Sequence, residues 1–313
     1  MSQHPIPVID LDVASRSTAP AHLIKAVKAA TEDTGVIQAV NHGVPQSLLD
    51  EFNLRIGRLE LERFNVGQFD NVAHARASGL AEEYVRLYEH ENVWPADDPR
   101  LQAVTHQYLA AARGVADRVL RVYVRAQGLL AGTFPLGDLP HVSLAVNNYP
   151  TRVSPDTGNH EDKFLLPEHA DSSAVTVLTQ AGDHEGLQVR QADGEWISVP
   201  VIPGALLVFS GTILTRWTNG RLRPARYRIV AGGTVSRRST RVFMYPALGT
   251  VLRPLAPFTE PGEHGGYEPV TTWDLVKDGM ANHPKVSGRP AQVAGWRERR
   301  RLVAELAQTS VGH

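Results

Sequence analysis

Between about residue 141 and residue 245 the chain breaks into short β-branched runs, each bounded by Gly, Pro, Asp or Asn. Nothing else in the sequence limits the fold so tightly. Runs near 142–149, 173–179, 187–191, 196–199, 205–209, 225–233 and 239–245 read as strands. Many short strands at close spacing must bury their faces against one another, which predicts a sandwich, jelly roll or barrel. Helical patterns flank this core. Residues 21–33 place Leu23, Ile24, Val27 and Ala30 on one face, and Gly35 ends that helix. Residues 46–64, 74–90 and 99–131 also read as helical, the last with Leu109, Ala112, Val115, Val119 and Tyr123 on or near one stripe. Two short strands are expected near the start, at 6–9 and 36–40. Pro7 confines the first to a sheet edge. Helix returns at 271–280 and 292–307. The expected organisation is a mostly helical part over 1–135, a β core over 136–250 and a helical cap over 251–313, packed as one unit.

The 313 residues carry a net charge of −1, so no basic excess points to nucleic acid or to an anionic membrane as partner. No apolar run is long enough to span a bilayer. The first residues lack the basic and apolar regions of a secretory signal. The chain contains no cysteine, which removes disulfides and every thiolate metal site. A cytoplasmic location is expected, although a cysteine-free chain is also compatible with export. Any metal here must use His, carboxylate, Tyr or water oxygen.

Within LPEHADSSAVTVLTQ, residues 166–180, His169 and Asp171 stand two apart at the mouth of a β-branched run. Strand side chains two apart share a face, so the imidazole and carboxylate can meet at one ion. One imidazole, one carboxylate and a third ligand from elsewhere form the facial arrangement of non-haem Fe(II) oxygenases. With thirteen His in the chain, His-x-Asp also arises by chance, and the neighbouring segments decide its weight.

Those segments resemble the Fe(II)- and 2-oxoglutarate-dependent dioxygenases of the isopenicillin N synthase-like family. IPVIDL at 6–11, TGVIQAVNHGVP at 34–45, ENVWP at 91–95, NNYP at 147–150, GLQVR, GEWISVPVIPGALLVFSG, WTNGRLRPARYRIV and RRSTRVFMYP at 237–246 follow in the family's order. The resemblance implies a mainly β fold with flanking helices, a double-stranded β-helix or jelly-roll barrel. It implies Fe(II) as the metal and 2-oxoglutarate and O2 as cosubstrates. It also implies a small-molecule substrate, often an amino acid or secondary metabolite, oxidised by hydroxylation, desaturation or ring closure. His169 and Asp171 match the first two iron ligands. Arg237 and Ser239 match the pair that holds the far carboxylate of 2-oxoglutarate, a role suited to a guanidinium fork and a hydroxyl on one strand face. Tyr149 matches a tyrosine that helps to bind cosubstrate or substrate. His42 matches a structural turn. The resemblance does not fix the oligomeric state.

The chain departs from the pattern at the third ligand. Counting from Asn219-Gly220-Arg221 without a gap, the position that holds the distal His in the family holds Tyr227, followed by Arg228. Four arrangements are open. Tyr227 ligates the iron through its oxygen. Tyr227 stands back, and water completes a two-residue site. Another His (160, 184 or 264) moves in. Or the barrel has lost its metal chemistry and binds a small molecule. An oxidase that takes no 2-oxoglutarate, as isopenicillin N synthase itself does, is a further alternative. Val36-Ile37 in place of an aromatic pair, and Thr212 in place of an acidic residue before a strand carrying Trp217, read as structural changes. The loop at 261–269 and Trp273 are expected near the barrel mouth.

Overall fold

Alternating inward and outward residues let the short strands curl into two facing sheets. The computed structural model describes residues 6–58, 83–88, 94, 97–135, 141–149, 164–181, 186–230, 237–260 and 265–281. In chain order the elements are β1 (Val8–Asp10), α1 (Leu11–Ser15), α2 (Ala21–Glu32), β2 (Val36–Val40), α3 (Gln46–Arg58), β3 (Glu83–Tyr88), α4 (Pro99–Ala126), β4 (His141–Tyr149), β5 (Phe164–Ala170) and β6 (Val175–Ala181). They continue with β7 (Leu187–Arg190), β8 (Trp196–Ser198), β9 (Leu206–Ser210), α5 (Thr212–Trp217), β10 (Arg226–Val230), β11 (Arg237–Tyr245), β12 (Val251–Leu252), β13 (Val270–Thr271) and α6 (Thr272–Ala281). The large sheet runs β1-β2-β9-β6-β11-β4-β3 and the small one β5-β10-β7-β8. β1 pairs parallel to β2, and the other pairings are antiparallel. This is a jelly-roll barrel with flanking helices, one of the architectures open to the strand pattern and the one that the resemblance implies.

Two apolar clusters separate the inside of the barrel from its outside. The inner cluster joins Val36, Leu178, Leu207 and Phe209 of the large sheet to Leu166, Leu187, Val189, Tyr227 and Ile229 of the small one. The outer cluster packs α2, α3 and α4 on the back of the large sheet, through Val27, Phe52, Tyr108, Val115 and Val119 against Leu144, Val177, Val208 and Val242. α4 lies along this seam because its buried positions recur three and four apart. Its end at Gln127 is closed by Gly128 at φ +71°, a left-handed turn that glycine adopts without strain.

Several elements differ from the sequence reading. Residues 83–88 form an edge strand on β4, where a helix over 74–90 was expected. In EYVRLY, Val85 and Leu87 alternate with Tyr84, Arg86 and Tyr88, but six residues with apolar or aromatic side chains at both parities are too short a run to show helical or strand periodicity clearly. Residues 164–170 form β5, a strand between the runs expected near 142–149 and 173–179. Trp217 lies at the end of helix α5 rather than on a strand. Thr and Ile at the start of α5 favour strand, but tertiary hydrogen bonds override that preference: the Thr212 and Ile213 N–H groups donate to the Asp171 and Ser173 carbonyls. The helix expected over 292–307 and the stretches 59–64 and 74–82 lie outside the described residues.

Candidate metal centre

The site forms where the small sheet meets the turn after β5. β10 pairs antiparallel with β5, with Tyr227 in register with His169, and a shift between Tyr227 and Ile229 brings Leu166 opposite Ile229. The irregularity lets Leu166 and His169, three residues apart, both serve the barrel interior. The His169 and Tyr227 rings lie 4.3 Å apart, and Phe209 closes on the Tyr227 ring at 4.9 Å. Asp171 follows the strand directly and is buried. Its turn is anchored by α5, and Gly211 sits against the Ser173 carbonyl.

His169 is oriented as a metal-binding imidazole is usually oriented. Its Nδ1 lies 2.9 Å from the Pro167 carbonyl, which can only accept, so Nδ1 carries the proton and Nε2 keeps its lone pair. Nε2 points to Asp171 Oδ1 at 3.8 Å. Burial lowers the His169 pKa first, the Asp171 charge opposes this, and the Arg241 charge adds to the lowering. The ring is therefore held neutral, and the pair is an imidazole beside a carboxylate rather than an ion pair. The other carboxylate oxygen, Oδ2, accepts from Thr176 Oγ1 at 2.7 Å, and Ser173 Oγ lies 2.8 Å from Thr176 Oγ1.

Tyr227 is almost fully buried. Its hydroxyl donates to Asp171 Oδ1 at 3.0 Å and accepts from Arg241 Nη1 at 2.7 Å. Arg241, only 3% exposed, was not singled out from the sequence. Strand alternation carried a signal for it, since Ser239 and Arg241, two apart on β11, fall on one face. Thr176 was missed too, and no local pattern announces its bond to Asp171.

The remaining predicted residues are placed by register. Ser239 is buried and pairs with Asn147 of β4 and Gln180 of β6, while Arg237 pairs with Tyr149. All three positions thus belong to adjoining strands of the large sheet. His160, His184 and His264 lie outside the described residues. His42 is a turn residue with its Nε2 2.8 Å from the Gly204 carbonyl. Of the loop at 261–269, Gly266 N–H donates to Asn219 and Tyr267 lies under the Arg216 guanidinium, so this part docks on the end of α5.

The donor set fits a divalent ion. A separation of 3.8 Å lets His169 Nε2 and Asp171 Oδ1 both lie at about 2.1 Å from one cation. The fixed His tautomer and the held carboxylate are the supports such ligands need. Among the described residues no three His, Cys, Asp or Glu converge, and the described oxygen that reaches the pair from another strand is the Tyr227 hydroxyl.

Two family models match the chain. Residues 141–246 match the 2OG-Fe(II) oxygenase superfamily, and residues 6–58 match the non-haem dioxygenase in morphine synthesis N-terminal family. The chain belongs to the 2OG-Fe(II) oxygenase superfamily. Among its curated relatives is a 2-oxoglutarate-dependent dioxygenase 19 of Oryza sativa subsp. japonica, 29% identical over 80% of this chain and 78% of the relative. Two solved structures share the fold of this superfamily member. A full-length Neurospora crassa protein, in complex with alpha-KG and thymine, superposes with a TM-score of 0.76 at 19% identity, over 89% of this chain and 97% of that one. JOX2, in complex with 2OG, Fe and JA, superposes with a TM-score of 0.72 at 22% identity, over 93% and 88% of the two chains.

Proposed function

We propose that this superfamily member is a non-haem iron, 2-oxoglutarate-dependent oxygenase of a small molecule, either amino-acid-derived or a secondary metabolite. The observation that carries the reading is the oriented pair: His169 with its lone pair turned to Asp171, and Asp171 steadied by Thr176 inside the barrel. The relatives and the structures solved with 2OG and iron support the same assignment of cosubstrate and metal. His169 and Asp171 would hold the ion. Tyr227 would stand beside it, its hydroxyl tied between Asp171 and Arg241, and solvent or cosubstrate oxygen would fill the remaining positions. Of the open arrangements, those hydrogen bonds favour the two-residue site over direct phenolate ligation.

When bound, iron couples decarboxylation of 2-oxoglutarate by O2, giving succinate and CO2, to oxidation of the substrate. The protein's part is placement. Ser239 and Arg237, two apart on β11, would receive the far carboxylate, and Tyr149 in register with Arg237 would border the same subsite. The inner apolar cluster would exclude water from the reacting centre. Incubation with Fe(II), ascorbate, 2-oxoglutarate and O2 should yield succinate, which Asp171→Ala should abolish. Wild-type protein that forms no more succinate than Asp171→Ala, with any pool of small-molecule substrates, would overturn the proposal.

A further inference from the structure

A buried charge lies beside the candidate metal centre. Arg241 enters the barrel from β11 at 3% exposure, and its guanidinium also lies 5.6 Å from the Phe243 ring centre. A buried guanidinium is tolerated where an anion and hydrogen-bond acceptors meet it. Here a hydroxyl links it to the anion: Arg241 donates to Tyr227, and Tyr227 donates to Asp171 Oδ1. The +1 of Arg241 and the −1 of Asp171 sum to zero across this relay before any metal enters. A divalent ion held by His169 and Asp171 raises the sum of these groups to +2. With the carboxylate alone it would be +1. Like charges in a water-poor interior repel far more strongly than at a surface. A dicarboxylate carries −2 and returns the sum to zero.

We infer that Arg241 is a charge-setting, positioning residue that couples the two ligands of the site: it weakens the binding of a metal alone and strengthens the dependence of metal binding on a dicarboxylate. This rests on the proposed function, since it requires that His169 and Asp171 take a metal. By linkage, the factor by which the dicarboxylate tightens the metal equals the factor by which the metal tightens the dicarboxylate. Chelation by 2-oxoglutarate gives part of that factor in any such site. The share belonging to Arg241 is the part that disappears with its charge.

The test is a calorimetric titration of the full-length protein with Mn(II), with and without saturating 2-oxoglutarate. It compares wild type with Arg241→Met, Arg241→Gln and Arg241→Lys. Thermal melts of each variant are recorded first. Arg241→Gln keeps a donor for Tyr227 without the charge, and it replaces the Met variant should that one fail to fold. The neutral variants should bind Mn(II) alone about tenfold more tightly than wild type, and their tightening by 2-oxoglutarate should shrink at least about fivefold. Arg241→Lys should keep the wild-type pattern. Folded neutral variants with unchanged or weaker Mn(II) affinity and unchanged coupling would overturn this inference and leave the proposed function standing. Absence of Mn(II) binding in wild type and in every folded variant, with and without 2-oxoglutarate, would overturn the proposed function and this inference together.

Discussion

Asp171 shows how one carboxylate is shared among its neighbours. Its two oxygens accept from different elements: Oδ1 from Tyr227 on β10, and Oδ2 from Thr176 on β6. The Thr176 bond fixes the carboxylate plane relative to His169. Thr176→Val removes that donor while keeping the volume and strand propensity. Outer partners of metal ligands typically contribute about 10–100-fold in affinity, so the variant should bind Mn(II) about tenfold or more weakly while its secondary structure by circular dichroism stays that of wild type. An unchanged Mn(II) affinity would show that Thr176 does not steady the ligand. The three candidate ligands were legible in the sequence because strand alternation and the count from Asn219 are local arithmetic. Arg241 was less legible. A cation on a strand ordinarily faces solvent, and only the fold reveals that this face of β11 points inward. Thr176 was not legible at all, because its bond depends on the turn at 172–174.

At the scale of elements, the site depends on the contact between that turn and α5. The turn's carbonyls at 171 and 173 accept the first N–H groups of the helix, and the Gly211 N–H donates to the Ala174 carbonyl. Gly211 is needed for space rather than for an unusual backbone angle: a Cβ there would lie 1.8 Å from the Ser173 oxygen. Gly211→Ala must therefore push the turn and the helix apart. The cost of such overpacking is about 3 kcal/mol, which should lower the melting temperature by roughly 4–5 °C in a chain of this size and weaken Mn(II) binding as well. A melting temperature within a degree of wild type would contradict this account of the turn. The strands of the barrel were readable from their β-branched runs and punctuation. α5 was not, since its residues favour strand and its hydrogen bonds come from a turn some forty residues earlier in the chain. β3 was hidden for a different reason: its six residues acquire their structure by pairing with β4.

The whole molecule joins the helical layer to the barrel through one continuous outer core, and its N-terminal turn ties into the strand region at His42. Burial is the largest influence on the His42 ring and lowers its pKa from the ordinary 6.5; the bond to Gly204 opposes this and the Arg118 charge adds to it. The folded protein thus keeps His42 neutral, with Nδ1 accepting from the Val44 N–H. The unfolded chain binds more protons below pH 6.5, so this contribution is present above that pH and is lost as the pH falls below it. The metal-free protein should melt at a lower temperature at pH 5.5 than at pH 7.5, and His42→Gln should flatten that difference while lowering both values. An equal pH dependence in the variant would remove His42 from the explanation. The family resemblance was readable across the whole molecule, from the order of its segments, and the superfamily match rests on two of its stretches. The central claim is that His169 and Asp171 hold a metal inside this barrel. Anomalous diffraction at the manganese edge, from crystals grown with Mn(II) and 2-oxoglutarate, tests it most directly. One strong peak is expected at about 2.0–2.2 Å from both His169 Nε2 and Asp171 Oδ1; a featureless map at that position would mean that these two side chains do not hold the metal.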